Sequence, residues 1–416
     1  MSEKIKIFTI SDHPLSPSGV GTQTKYIIEG MLKTGKYQFV SFGGAIKHPD
    51  HRPQHTQEWG EDWVIWPVDG YGNQDQVRAM IRQQKPDILW FMTDPRFYQW
   101  LWNIENEIRT HLPMVYYHVW DNYPYPTFNR PAYLANDHIA CISKLTYDIV
   151  QTVVPEVDST YVPHAVDGDI FAPMAEQDIL KYKSDRGQNG KFVCFWNNRN
   201  ARRKQSGTLI WWFKEFLDRV GHDKACLIMH TDVKDTHGQD LEAIIKELGL
   251  NDGQVLFSRE KVSNRDLAAV YNMADLTINI SDAEGFGLAT LESLSCGTPI
   301  LVNKTGGLKD QITDGDREFG IGLDPCSKAI IGSQEVPYIY EDRISKEDFV
   351  DALVTLYEMD NEERKELGTA AREWAQKQFS FDNFIQQWDE LFTSVYEKHG
   401  SWEDRKNYST YEMKVY

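Results

Sequence analysis

At 416 residues the chain exceeds what one hydrophobic core usually supports, so two domains of ordinary size are expected. A hydrophobic share of 41%, a charged share of 25% and no apolar run near the roughly 20 residues that span a bilayer point to a soluble globular protein without stable membrane insertion. A formal charge of -18 repels phosphate backbones at long range, which argues against a nucleic-acid polymer as the main partner but leaves room for a local basic pocket. The start, "MSEKIKIFTISD", lacks the apolar core and small-residue cleavage site of a secretory signal, so a cytoplasmic address is expected. Cys141, Cys194, Cys226, Cys296 and Cys326 are scattered without a CxxC pair and read as buried, reduced thiols.

Along the first half, "KIKIFTI", "YQFVSFGG", "DWVIWPV", "PDILWFMT", "MVYYHVW", "HIACIS" and "TYVPH" are predicted strands, alternating with helices in "TQTKYIIEGMLK", "QDQVRAMIRQQ" and "KLTYDIVQTVV". Strands apolar throughout, alternating with helices, imply a parallel sheet covered on both faces. The polar, glycine-containing stretch at residues 176–190 reads as a linker. The alternation then restarts with strands in "KFVCFWNN", "ACLIMHTD", "QVLFSR", "DLTINIS", "PILVNK" and "FGIGLD" and helices between them. From about residue 347 the chain reads as helical, and its last 17 residues, "GSWEDRKNYSTYEMKVY", show no clear period. The expected fold is therefore α/β, two Rossmann-like doubly wound domains facing across a cleft. Residues 1–180 form the first domain and 181–380 the second, and a C-terminal helix and tail at 381–416 pack back on the first.

Three stretches carry chemistry. In "ISDHPLSPSGVGTQTKYII", Gly19 and Gly21 precede a helix expected from about Thr22. Glycines there suit either a tight turn or an anion at free helix-end amides. The third glycine of the dinucleotide fingerprint is missing, which speaks against an NAD enzyme. In "NNRNARRKQSGT", Arg199, Arg202, Arg203 and Lys204 crowd one strand-end loop, suited to a diphosphate or simply solvated. In "SDAEGFGLATLESLSCGTP", Glu284 ends a strand beside the amides of "GFG", and Glu292 lies on the following helix beside the stripe Leu288, Leu291 and Leu294. A carboxylate so placed needs a partner, and a sugar diol is a suitable one. Carboxylates for hydroxyls and amides for phosphate together describe a sugar nucleotide.

The E-x7-E stretch "EGFGLATLE", followed by "SCGTPILVNKTGGLKDQI", resembles the retaining glycosyltransferases of the two-Rossmann GT-B type, the group 4-like family that includes glycogen and sucrose synthases and many bacterial hexosyltransferases. Supporting matches are the Gly19 and Gly21 loop, "CISK", "VPHAVD", the Arg199 and Lys204 loop, and "FSREKVSNRDLAAVYNMADLTINIS". The resemblance implies transfer from a nucleoside-diphosphate sugar, with no metal required. Glu284 would contact the sugar hydroxyls, Glu292 the ribose, and Arg199 and Lys204 the diphosphate. The amides of Gly285, Phe286, Gly287 and Leu288 would hold sugar and phosphate, and Gly19 and Gly21 would close from the other domain. His118 would sit beside the sugar, and the segment around Ser258 would hold the base. His164 stands where the family usually shows Asn.

On its own, His118 reads as a core histidine; Asp121, three residues on, would orient it or contact the acceptor. The acceptor is open. The loop 118–133, dense in aromatics and prolines, suits a saccharide, a nucleoside or a nucleobase, or plain packing. One alternative is glycosylation of a modified base in nucleic acid, which needs a local patch built from Arg78, Arg82, Lys85, Arg96, Arg109 and Arg130. Another is a non-catalytic sugar-nucleotide sensor.

Overall fold

The computed structural model describes residues 4–410. Its first sheet is built from β1 (Ile5–Asp12), β2 (Tyr37–Gly44), β3 (Gln54–His55), β4 (Trp63–Pro67), β5 (Ile88–Met92), β6 (Met114–His118), β7 (His138–Cys141) and β8 (Asp158–Tyr161). The spatial order is β3-β4-β2-β1-β5-β6-β7-β8, parallel except for the short β3. The second sheet comprises β9 (Phe192–Asn197), β10 (Ala225–His230), β11 (Val255–Ser258), β12 (Leu276–Asn279), β13 (Ile300–Asn303) and β14 (Gly320–Leu323). Its order, β11-β10-β9-β12-β13-β14, is parallel throughout. The central runs are strands because nearly every residue is β-branched, aromatic or aliphatic and both faces are covered; β5, for instance, is buried along its whole length.

Each order reverses once, between β1 and β5 and between β9 and β12. At such switch points the loops leaving neighbouring strands diverge and open a crevice at the carboxyl edge. The loops after β1, β9 and β12 are the three stretches singled out by their chemistry.

Four local features depart from expectation. The polar stretch read as a linker contains the helix Glu176–Asp185, whose Lys183 pairs with Asp275 at 2.9 Å; solvent exposure along that helix erased the apolar period. The helix expected from Thr22 begins at Gly19, because the Ser18 hydroxyl caps it by accepting from the Gly21 amide at 3.0 Å. An antiparallel hairpin follows β14, formed by β15 (Ser327–Ile331) and β16 (Ile339–Arg343). Of the cysteines, four are buried but Cys326, at the root of that hairpin, is exposed.

The helix Phe381–His399 starts beside the second half and packs on the first sheet. There the fully buried Trp388 meets Trp90 at 5.9 Å and Tyr117 at 4.8 Å between ring centroids, and Asp389 accepts from the Tyr37 hydroxyl at 2.7 Å. Beyond it, Trp402 donates its indole N–H to the Pro86 carbonyl and Arg405 bonds Asp137. The end of the expected C-terminal tail, residues 411–416, lies outside the described residues. No helix among the described residues is long and apolar enough to cross a membrane.

Candidate active site

The crevice between the sheets has a volume of about 820 Å³. Its lining brings together Glu284, Gly285, Phe286, Gly287, Leu288, Glu292, Arg199 and Lys204 from the second half, and Gly19 from the first. Asp12, Asp121, His164, Arg203 and His230 line it too. Gly21, His118 and Ser258 do not.

Glu284 follows β12 and is 8% exposed. It accepts from the Lys204 ammonium, from Asn279 Nδ2 at 3.3 Å and from the Ser281 hydroxyl at 3.4 Å. Burial opposes its ionisation, but Lys204 and Arg203 outweigh that and hold its pKa below the ordinary value. Lys204 is equally buried; desolvation pulls its pKa down while Glu284 pulls it up, and desolvation wins. Arg203 donates to the Ala283 carbonyl and stands 3.5 Å from Asp121. Arg199, more exposed, is held by Asp235 through contacts of 2.6 and 3.1 Å.

The turn between the two glutamates is shaped to offer amides. Gly287 has φ +91, a left-handed conformation, and a Cβ there would lie 2.7 Å from Leu308 Cδ2, so glycine suits both the backbone and the space. It starts the helix Leu288–Ser295 with no side-chain cap, leaving the first amides without intrahelical acceptors. Gln311 Nε2 donates to the carbonyls of Phe286 and Gly287 at 2.7 and 3.1 Å, which fixes the turn from behind. One turn into that helix, Glu292 accepts from the Tyr271 hydroxyl at 2.7 Å, and Tyr271 in turn accepts from Asn197 at 2.9 Å. Burial pushes the Glu292 pKa up to about 7, against the pull of the tyrosine bond.

The first-half loop brings Gly19 against Leu288: a Cβ on Gly19 would lie 3.1 Å from Leu288 Cδ1. Gly21 turns inward instead, its amide taken by Ser18 and its Cα against the His13 carbonyl, where a Cβ would sit at 2.6 Å. Ser258 ends β11 and bonds His230 Nδ1 at 2.8 Å, so His230 rather than Ser258 reaches the crevice.

His118 is fully buried between Tyr116 and Tyr133, with ring centroids 5.1 and 4.7 Å away, and burial lowers its pKa to about 3. Strand alternation explains this: Tyr117 and His118 point to opposite faces of β6, and Tyr117 takes the face toward Trp388 and His164. The first-half histidine that lines the crevice is His164, which packs edge-on against Phe286 at 5.1 Å.

Five of the six cations of the expected basic patch are already engaged, Arg82 being the exception. Arg78 is bonded to Glu107, Arg96 to Asp94, Arg109 to Glu105 and Asp137, and Arg130 to Glu156, while Lys85 lies 5.5 Å over the Trp402 ring. In the loop 118–133, Trp120 and Tyr133 are buried packing residues, whereas Tyr123 and Tyr125 are exposed.

Residues 180–374 match the family "Glycosyl transferases group 1". This segment belongs to the group 1 glycosyltransferases. The group 1 segment holds β9 to β14 and the Glu284, Glu292 and Lys204 cluster. The chain is similar to a "D-inositol 3-phosphate glycosyltransferase" of Corynebacterium jeikeium, 28% identical over 191 residues that make up 43% of this chain and 45% of the relative. It spans less than half the length of the first curated relatives it matches, 21%, 45% and 18%.

The whole chain has the GT-B fold of solved glycosyltransferases. A sucrose-phosphate synthase of Thermosynechococcus elongatus superposes with TM-score 0.74 and 15% identity, covering 95% of this chain and 100% of that one. The Anabaena protein HepE, solved with UDP and glucose, gives 0.69 and 16%, covering 94% and 100%. Those likenesses establish the fold on both sides of the group 1 segment, including the wall that the segment itself does not supply.

Of the residues now seen at the crevice, Arg203 and Asp121 were legible as charges in strand-end loops. Tyr271, buried behind the lining, was not, because a tyrosine on an amphipathic helix gives no sign that its hydroxyl reaches a carboxylate 21 residues later.

Proposed function

We propose that the protein is a retaining glycosyltransferase that moves a sugar from a nucleoside-diphosphate sugar to a hydroxyl acceptor. The observation that carries this is the convergence in one crevice, at the switch points of both sheets, of Glu284, Lys204, Arg203, Glu292 and the uncapped amides at Gly287 and Leu288.

In this reading Glu292 takes the ribose hydroxyls, with Tyr271 aligning it, and the base lies toward His230 and the segment after Ser258. Lys204, Arg203 and Arg199, together with the helix-end amides and the Gly19 loop, meet the diphosphate. These protein groups, rather than a metal ion, are the proposed countercharge. Glu284 accepts from the sugar hydroxyls. The Lys204–Glu284 pair is exchanged on binding for a phosphate on the lysine and hydroxyls on the glutamate, so neither buried charge is left bare.

Chemistry then breaks the bond from the anomeric carbon to the phosphate oxygen and forms one to the acceptor oxygen on the same face. The acceptor's proton passes to the leaving phosphate oxygen, which lies beside it in that geometry. Negative charge grows on the phosphate in the transition state, where cations and amides already in place are most effective. Enclosure between the halves limits hydrolysis of the donor by water.

Thermal unfolding in the presence of UDP, GDP, ADP and their glucose and mannose conjugates tests the donor reading. At least one of these raises the melting temperature; indifference to all of them overturns it. Release of the nucleoside diphosphate in the presence of a hydroxyl acceptor separates an enzyme from a binding protein of the same fold.

A further inference from the structure

We propose that the acceptor is an uncharged polyhydroxyl molecule, a saccharide or polyol without a phosphate, whose hydroxyls donate to Asp12, Asp121 and His164 on the first-half wall of the crevice. This rests on the donor reading above, which commits the second-half wall to the sugar nucleotide and leaves the first-half wall to the acceptor.

The two walls differ in chemistry. The cations that line the crevice, Arg199, Arg203, Lys204 and Lys261, all come from the second half. Among the described residues the first half contributes no lysine or arginine to the lining, but two carboxylates and one histidine. Asp12 accepts from the hydroxyls of Ser18 at 2.6 Å and Tyr71 at 2.9 Å, which fix its orientation and leave further lone pairs free. Asp121 faces the crevice with Arg203 on one side at 3.5 Å. A cation just outside, Arg96, is held by both oxygens of Asp94.

His164 completes the set, and its tautomer follows from its neighbours. The Tyr117 oxygen lies 2.8 Å from the Val162 carbonyl and 2.8 Å from His164 Nδ1. A carbonyl only accepts, so the single tyrosine proton goes to Val162, and Nδ1 must carry a proton and donate to the tyrosine oxygen. Burial lowers the pKa of this histidine to about 3, so the ring is neutral and Nε2 holds a lone pair. The residue is 5% exposed and lines the crevice, with no protein donor on Nε2 among the described residues.

A wall that offers two carboxylates and an imidazole lone pair is complementary to hydrogen-bond donors. Hydroxyl groups supply them. A phosphate monoester supplies only acceptors and about two negative charges, and it would face two carboxylates with no cation of its own.

The test uses the full chain and the sugar nucleotide that gives the largest thermal shift. It measures nucleoside diphosphate release above acceptor-free hydrolysis with three pairs: glucose and glucose 6-phosphate, fructose and fructose 6-phosphate, and myo-inositol and its 1-phosphate. The expected result is transfer to an unphosphorylated member with kcat/KM at least ~10-fold above that of its phosphate. Asp121→Asn raises the KM for that acceptor while UDP still stabilises the variant, and Asp121→Lys moves the preference toward the phosphorylated member. Equal or better use of the phosphates overturns the proposal. So does failure of all six acceptors while the donor is still bound and hydrolysed. If no nucleotide shifts the melting temperature at all, it is the donor reading that fails.

Discussion

Glu284 and Lys204 are each other's closest charged partner in a place where neither is well hydrated, so the effect of changing one must be read through the other. Glu284→Gln keeps a hydrogen-bonding side chain of the same shape but removes the charge that keeps the buried Lys204 protonated. Transfer is expected to fall by ~100-fold or more, as when a preorganised electrostatic group is lost. Circular dichroism of the variant should match the parent, and activity within a few-fold of the parent would remove Glu284 from the mechanism. Glu292 gives a pH signature. Its pKa near 7 means the free site is protonated below that value, and the ionised form accepts ribose hydroxyls more strongly. Affinity for UDP-glucose, whose diester phosphates keep constant charge over the range, should therefore rise from pH 6 to 8 and level off. Glu292→Gln should flatten the profile; a decline over that range in the parent would contradict the assignment. Both glutamates were legible in the sequence because a glycine turn and a helical stripe fix where they go. His118 was not, since one step along a fully apolar strand flips a side chain to the other face and composition cannot tell the faces apart.

The parallel strands were legible for a related reason: an apolar run covered on both faces looks the same wherever its neighbours are. Partly wet elements were not. The helix Glu176–Asp185 has no buried residue to mark a period, and the β15–β16 hairpin, exposed at Ser327, Lys328 and Ile330, alternates too weakly to stand out. Yet that hairpin joins the halves. Asn122 Nδ2 donates to the Tyr340 carbonyl at 3.0 Å, and Arg202 from the basic loop is bonded to the buried Glu341. The helix Phe381–His399 makes a second join, and its anchor is Trp388. Trp388→Ala removes a fully buried indole packed on Trp90 and Tyr117. A loss of ~3–5 kcal/mol is expected, read as a lower urea midpoint at unchanged slope. A loss under ~1 kcal/mol would mean that the helix packs loosely on the first sheet.

For the molecule as a whole, the charge distribution decides what can approach the cleft. With a formal charge of -18, the protein repels a polyanion that comes within the Debye length of roughly 10 Å, and the short-range cations of the second-half loops oppose that. A sugar nucleotide is small enough to reach them. A duplex is not in the same position, because binding it requires many phosphates to be neutralised at once across a surface. Four of the five arginines that would have to supply such a surface, Arg78, Arg96, Arg109 and Arg130, are already neutralised by carboxylates. Releasing any of them would expose another negative charge to the nucleic acid. The expected outcome is that duplex DNA at 100 mM salt shows no retarded band with protein up to ~100 µM, the weak end of the range where nonspecific binders usually appear. UDP-sugar binding should survive the same salt, because Lys204 and Glu284 are buried and weakly screened. A retarded band that weakens steeply as salt rises would show that the cationic side chains are freer than their ion pairs imply, and would bring the nucleic-acid acceptor back into contention.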